Sequence, residues 1–315
     1  VYRVPSATFS GRSPGAVMKT LSTLGKGYFR ARRLLEMVQP HVVVGFGGYP
    51  TLPPLLAARS LAIPTVLHEQ NAVMGRANRL LSRFADAIAL SFDTTKHLRS
   101  SAEKRAVVTG NPVRDAVVSC RDQAYAAPES AGRLLLLVFG GSQGARFFSE
   151  MMPQALAKLP SPLRWRLTVV QQARPEDVAE VRDAFREAEV TAHVAPFFQD
   201  LPERIAGSHL VISRAGASTV AEVTAIGRPA ILVPLPHAID NDQLENARRL
   251  EDNGGGWCLH QSGITPESLA ARLDQLLSNP DVLAKAADNS RAMGNVYAVN
   301  RLADLVADLA GPDQK

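Results

Sequence analysis

LVISRAGASTVAEVTAIGRP, residues 210–229, is the stretch on which the fold turns. Leu210, Val211 and Ile212 form a short apolar run of the kind that fills a buried parallel strand. Arg214, Ala215, Gly216 and Ala217 supply mostly small residues where the backbone must turn tightly and lie open to a ligand. Thr219, Val220, Ala221 and Glu222 open a helix, Gly227 falls where a C-cap belongs, and Pro229 ends it. Ala230, Ile231, Leu232, Val233 and Pro234 make the next strand. This is one βαβ unit. Its helix N-terminus presents free N–H groups and the positive end of a dipole, which together favour phosphate.

The same alternation extends in both directions. Upstream, residues 1–16 read as loop and 17–38 as a helix. Met18, Leu21, Leu24, Tyr28 and Leu35 lie on one broad face of that helix, with Lys19, Lys26, Arg30, Arg32 and Arg33 around it. Strands are expected near 41–44, 65–69, 87–92 and 106–109, with helices over about 52–60 and 75–84 between them. Residues 119–132, with Pro128 and Gly132, make a linker. A second run follows, with strands near 134–139, 166–170, 191–194, 210–212 and 230–234. Helices then fill about 266–278, 280–292 and 297–310. The pattern is α/β: two doubly wound, Rossmann-like lobes with a ligand cleft between them.

Size and composition agree with that reading. The 315 residues suffice for about two domains with full cores. At 46% hydrophobic and 21% charged, the chain is of ordinary globular make-up. A net charge of +5 and a pI near 9.4 suit an anionic partner, and charge alone does not choose among nucleotide, nucleic acid and acidic lipid. Cys120 and Cys258 occur in unrelated contexts, which suggests neither a disulfide framework nor a zinc site and fits a reducing compartment. No apolar run reaches the roughly 18 residues of a spanning helix, and no signal-peptide pattern is read at Val1.

Several motifs carry more than one reading. Gly45-Phe46-Gly47 begins a G-x-G-x-x-G dinucleotide fingerprint with Glu69 downstream, but Pro50 stands at the third glycine. The turn over 140–144 lacks the lysine of a nucleoside-triphosphate loop. Thr219 and Glu222 spell a capping box, so Glu222 either caps its own helix or accepts hydrogen bonds from two ribose hydroxyls. Asp240-Asn241-Asp242 has the D-x-D spelling of a metal-holding loop, yet Asp240 or Asp242 serves better as the N-cap of the helix that starts near Gln243. Gln243 and Asn246 would present amides to sugar hydroxyls. His68, Glu69, Gln70 and Asn71 gather at a strand end and lean toward a site. Arg114, after Asn111-Pro112, reads equally as a phosphate or base contact and as an ordinary surface arginine.

Taken in order, GFGGYP at 45–50, VLHEQNAVMGRAN at 66–78, GNPVRDAV at 110–117, GGSQGAR at 140–146, SRAGASTVAE at 213–222 and VPLPHAIDNDQLENA at 233–247 resemble one family. It is that of the bacterial glycosyltransferases converting lipid I to lipid II in peptidoglycan synthesis. The resemblance implies a GT-B fold. An acceptor and membrane-facing domain would occupy 1–125 and a UDP-sugar domain 126–295. A C-terminal helix over 296–315 would pack back toward the first.

It also implies an inverting transfer of N-acetylglucosamine from UDP-N-acetylglucosamine, with no cofactor and no tightly held metal. Ala217, Ser218, Thr219, Val220, Ala221 and Glu222 match the segment on diphosphate and ribose, with Glu222 on the ribose. Phe198 matches the position whose backbone reads the uracil edge. Ser142, Arg114, Asn71 and Gln243 match further donor contacts. The implied partners are UDP-N-acetylglucosamine, the lipid I acceptor and the anionic inner-leaflet surface, with no nucleic acid. The implied location is the cytoplasmic face of the bacterial inner membrane, where the basic helix over 17–38 would rest.

Two departures from the family follow. The family opens with a strand and a GGTGGH-type loop whose histidine is the favoured general base, and no counterpart precedes Val1 here. His68 and Glu69 are the remaining candidates. Gln171-Gln172-Ala173-Arg174 stands where the family has a histidine-glutamine-hydroxyl-glycine run. Two other readings share the fold: a donor-binding module without catalysis, completed by a partner, and an epimerase acting on the UDP-sugar.

Overall fold

The computed structural model describes residues 1–7, 13–129, 131–141, 146–236 and 238–311. By its contacts the chain forms two units, Val1–Pro112 with Tyr297–Lys315, and Val113–Val296.

The first unit contains α1 (Pro14–Val38), β1 (Val43–Gly45), α2 (Leu52–Ser60), β2 (Thr65–Glu69), α3 (Arg76–Leu81), β3 (Ala87–Leu90), α4 (Ser100–Glu103) and β4 (Ala106–Val108). Its four strands are parallel and in the order β1-β2-β3-β4. Alternate residues of each strand face opposite sides. Leu67, Ile88 and Leu90 join Leu52, Leu55, Met74 and Leu81 in one cluster, while Val66, Ala87 and Ala89 join Leu302 in another. Covering both sides is what lets the strands be apolar throughout.

Helix α1 differs from its expected packing. Its buried seam is Thr20, Gly27 and Ala31, whereas Met18 and Leu21 are exposed. Small residues are selected because neighbouring backbone lies so close. A Cβ on Gly27 would collide with the Pro5 carbonyl and meet Pro53 of α2 at 3.2 Å.

The second unit contains α5 (Asp115–Ser119), β5 (Leu134–Phe139), α6 (Arg146–Ala157), α7 (Ser161–Arg164), β6 (Leu167–Gln172), α8 (Val178–Glu187), β7 (Thr191–Ala195), α9 (Leu201–Gly207), β8 (Leu210–Ser213), α10 (Ala217–Ile226), β9 (Ala230–Leu232), α11 (Asp242–Asp252), β10 (Gly256–Cys258), α12 (Pro266–Leu277) and α13 (Pro280–Met293). The chain then returns to the first unit as α14 (Ala298–Ala310), where Leu302 is buried and Leu305, Val306 and Leu309 pack beside it. The six strands run β7-β6-β5-β8-β9-β10, all parallel. Numbered within the unit this is the order 3-2-1-4-5-6, which reverses direction between β5 and β8. The loops leaving those two strands therefore diverge, and ligands of such sheets bind in the opening between them.

The unit begins earlier than the expected boundary at 125, and the segment 119–128 is not a free tether. Val117 is fully buried. Arg121 donates to the carbonyls of Ala225 and Arg291, and the Tyr125 hydroxyl donates to the His209 carbonyl. Arg228, 1% exposed, donates to the carbonyls of Gln123, Ala124, Ala206, Ile226 and Gly227. Two of these carbonyl groups end α9 and α10, where the helix dipole favours a cation.

Candidate functional site

Strand β8 is buried along its whole length, so the chain leaves the sheet at Ser213 with little freedom. Gly216 is the N-cap of α10, in extended backbone, and no side chain caps this end. The first helical hydrogen bond runs from Val220 N–H to Gly216 O at 3.0 Å. The amides of Ala217, Ser218 and Thr219 precede it, at the positive end of a ten-residue helix and at the point where the sheet order reverses. Ser218 is exposed, Ala217, Thr219, Ala221 and Glu222 are partly so, and Val220 is buried in the core.

The capping box does not form. Thr219 is the third residue of the helix rather than its N-cap, because the turn through Gly216 starts the helix at Ala217. A reciprocal Thr-to-residue-three box does occur at the start of α12, between Thr265 and Ser268. Glu222 instead pairs with Arg114, the N-cap residue of α5. Arg114 Nε donates to Oε1 and Nη2 to Oε2, each at 3.2 Å, and Nη2 also lies 3.0 Å from Oε1. Burial pushes the Glu222 carboxyl above its ordinary range, and Arg114 opposes that shift.

Arg214 is a residue that reading by motif passed over. It does not face the helix end as a phosphate ligand would. It donates to the carbonyls of Val233 and Pro234 at 3.1 and 3.3 Å, and to Gln261 Oε1 at 2.7 Å. Its guanidinium also lies within 5.4 Å of the Phe147 and Phe148 ring centres. Asn246 fastens the same loop from the other side. It is fully buried, and its Nδ2 donates to Ala215 O at 3.1 Å, so it does not present an amide to a sugar as expected. A long cation among small residues directly after a buried strand was the available signal for Arg214.

Helix α11 begins at Asp242 with Asn241, not either aspartate, as its N-cap. Asp240 and Asn241 both adopt left-handed backbone, φ 60° and 54°, just ahead of the helix. Asp242 accepts from the Gln243 N–H, and burial beside Asp240 pushes its carboxyl up. Gln243 Oε1 accepts from Leu235 N–H at 2.9 Å. Among the described residues there is no group of three or more His, Cys, Asp or Glu that could hold a metal ion.

Phe198 is 7% exposed, its ring set between His193 and the Arg204 guanidinium, 4.4 Å from its centre. Gln171 and Gln172 donate to the carbonyls of Phe148 and Pro196, while Arg174 makes a forked pair with Asp177 at 2.8 Å. The altered run is thus tied down within its own unit. Ser142 lies outside the described residues.

In the first unit, His68 and Glu69 end β2 but neither side chain reaches solvent. His68 Nε2 donates to Gly110 O at 3.1 Å, Nδ1 has no partner among the described residues, and burial lowers the imidazole below its ordinary value. Glu69 accepts from the N–H groups of Asn71 and Gly75 at 3.1 and 2.9 Å, and from Asn78 Nδ2 at 2.7 Å. Its carboxylate organises the turn over 70–78. Asn71 is held to it through both its backbone and its amide. The polar atoms of both side chains are thus spent on, or held within, their own unit.

Residues 1–90 match the glycosyltransferase family 28 N-terminal domain and residues 135–306 the family 28 C-terminal domain. The chain is 52% identical over 311 residues to a Rhodospirillum centenum protein, covering 99% of this chain and 82% of that one. That protein is named UDP-N-acetylglucosamine–N-acetylmuramyl-(pentapeptide) pyrophosphoryl-undecaprenol N-acetylglucosamine transferase. Acinetobacter baumannii MurG superposes with a TM-score of 0.78 at 33% identity, covering 98% of this chain and 84% of MurG. A UDP-GlcNAc 2-epimerase from Neisseria meningitidis, solved bound to UDP-GlcNAc, superposes at 0.63 with 14% identity over 95% of this chain and 84% of the epimerase, a likeness of fold alone. An open α10 terminus at the reversal of a 3-2-1-4-5-6 sheet, together with these matches along the whole chain, identifies the chain as a member of glycosyltransferase family 28.

Proposed function

We infer that this chain transfers N-acetylglucosamine from UDP-N-acetylglucosamine to the muramyl sugar of undecaprenyl-pyrophosphoryl-MurNAc-pentapeptide, turning lipid I into lipid II with inversion at the anomeric carbon. The observation that carries the reading is the opening of α10, in a chain half identical to a transferase of that name. The acceptor hydroxyl oxygen forms a bond to the anomeric carbon and gives up its proton to water as the bond to UDP breaks, and UDP leaves carrying the electron pair. Negative charge grows on the diphosphate. The amides of Ala217, Ser218 and Thr219 are fixed before that charge appears, so they stabilise it without reorganising. A helix end contributes about 0.3–1 kcal/mol to such a charge when exposed and about 2 when partly buried.

In this reading Glu222 receives the ribose hydroxyls, Phe198 marks the uracil and Gln243 faces the sugar. Arg114 and Ser142 complete the donor set. The surface of α1 suits an anionic inner leaflet. Met18, Leu21, Phe29, Met37 and Val38 are exposed on it among Lys19, Lys26, Arg30 and Arg33, and no described helix is long and apolar enough to cross a membrane.

Incubation with sugar-labelled UDP-N-acetylglucosamine and a short-chain lipid I analogue tests the reaction. Label passing into the lipid, one per UDP released, is the expected result. Conversion of the UDP-sugar without acceptor, or UDP binding without turnover, would overturn it in favour of an epimerase or a binding module. For the membrane reading, K19E, K26E and R30E combined should abolish flotation with phosphatidylglycerol vesicles. Unchanged flotation would discard that reading.

A further inference from the structure

Arg114 and Glu222 are unequally placed. The Glu222 side chain is 14% exposed and that of Arg114 57%. The carboxylate is thus the member that needs a partner, and the guanidinium, left in water, would be content without one. Arg114 reaches it from a fixed point. It is the N-cap residue of α5, and its carbonyl accepts from the N–H groups of Val117 at 2.9 Å and Val118 at 3.2 Å. The contact is forked, Nε to Oε1 and Nη2 to Oε2, which sets the plane of the carboxylate as well as its position. A carboxylate offers about four lone-pair sites. The fork takes up one edge of the carboxylate, with Nη2 shared between the two oxygens, and leaves acceptor capacity on its other side. Two acceptors side by side are what a vicinal diol requires. Glu222 lies about 6 Å along the helix axis from Ser218, a spacing that the ribose and phosphates of a nucleotide can bridge.

We propose that Arg114 acts on the ribose of the bound nucleotide through Glu222, fixing that carboxylate to receive both hydroxyls, and does not grip a phosphate itself. Arg114 is then a positioning residue. The inference rests on the reading of Glu222 given above. It departs from the simpler expectation that an arginine beside a diphosphate site is a phosphate ligand.

Three ligands separate the possibilities: uridine, UDP and 2′,3′-dideoxyuridine 5′-diphosphate, each titrated against the unaltered chain, Arg114→Gln, Arg114→Lys, Glu222→Gln and the Gln/Gln double variant. Arg114→Gln should weaken uridine and UDP by the same factor, about tenfold. It should leave the dideoxy compound unchanged, which also reports that the variant is folded. The double variant should bind no worse than Glu222→Gln, and Arg114→Lys, able to make one contact but not the fork, should recover part of the loss. Weakening of UDP and the dideoxy compound with uridine unaffected would overturn the proposal and make Arg114 a phosphate ligand. If Glu222→Gln alone left both UDP and uridine unchanged, the ribose assignment beneath the proposal would fall instead.

Discussion

Glu222 and Arg114 stand 108 positions apart in the chain and meet only because α5 packs on α10. That is why residue type could be read from the sequence and pairing could not. Glu222 was legible as a carboxylate with two possible tasks, and Arg114 as a cation that could equally contact a ligand or lie on the surface, neither reading naming the other residue. The histidines make the same point from the other side. A polar cluster at a strand end suggested chemistry for His68, but burial of β2 turns the ring into an internal donor. His209 is held likewise, its Nδ1 accepting from Leu135 N–H at 2.8 Å. Burial lowers both imidazoles from 6.5, with Arg228 and Arg166 adding to the effect at His209. The sign follows. Below about pH 6.5 the unfolded chain takes up protons that the folded chain refuses, so stability falls with acidification until the folded values are reached. Each histidine contributes a slope of up to about 1.4 kcal/mol per pH unit in that window. Urea midpoints measured from pH 7 to pH 5 should fall, and the fall should flatten in His68→Gln with His209→Gln. An equal slope in the double variant would show that neither ring is held neutral.

At the scale of elements, the strand, turn and helix over 210–229 were legible because each local signal agreed with the next. The apolar run ends where small residues begin, and Gly227 closes α10 in left-handed backbone, φ 78°. What escaped was set by close approach. Gly254, Gly255 and Gly256 run into β10 and read in sequence as a turn. Yet Gly256 is in the ladder, because any side chain there would strike the Ala230 carbonyl of β9. The seam of α1 escaped for a similar reason, its buried residues being the small ones. The capping box is the sharpest case, since the Thr-x-x-Glu spelling at Thr219 forms none, while Thr265, three residues before a serine, makes one. Thr265→Ala should therefore lower stability by about 1 kcal/mol. Thr219→Ala should stay within about 0.5 kcal/mol of the unaltered chain. Equal losses in chemical denaturation would restore the cap at Thr219.

Over the whole molecule, the two α/β units could be counted from the alternation of strands and helices, because that pattern is local and repeats. The order reversal expected of both is present in the second sheet, whereas the described strands of the first run β1-β2-β3-β4. The dividing line between the units could not be read in this way. It is drawn by contacts that the composition of 119–132 does not reveal: Arg121 donates to the Ala225 and Arg291 carbonyls, and Arg228 to those of Gln123 and Ala124, all within the second unit. The residues of α14 alone show only an amphipathic helix; its return to the first unit was given by the family resemblance, and the physical reason for it is that one side of the first sheet needs covering. Val42, Val44 and Val66 supply that side.

The five carbonyls around Arg228 also have a consequence in time. They come from three segments, 123–124, 206 and 226–227, so no one segment can replace water around the guanidinium by itself. Partial assembly would strip hydration from a full charge without returning enough acceptors, which places this contact after the barrier to folding rather than before it. Arg228→Met should then cost about 3 kcal/mol, nearly all of it as faster unfolding, about a hundredfold, with the refolding arm of the chevron almost unmoved. A matching loss in the refolding rate would place the arginine in the nucleus instead. If the contact does form late, one residue sets how long the nucleotide unit stays folded while having little say in how quickly it gets there.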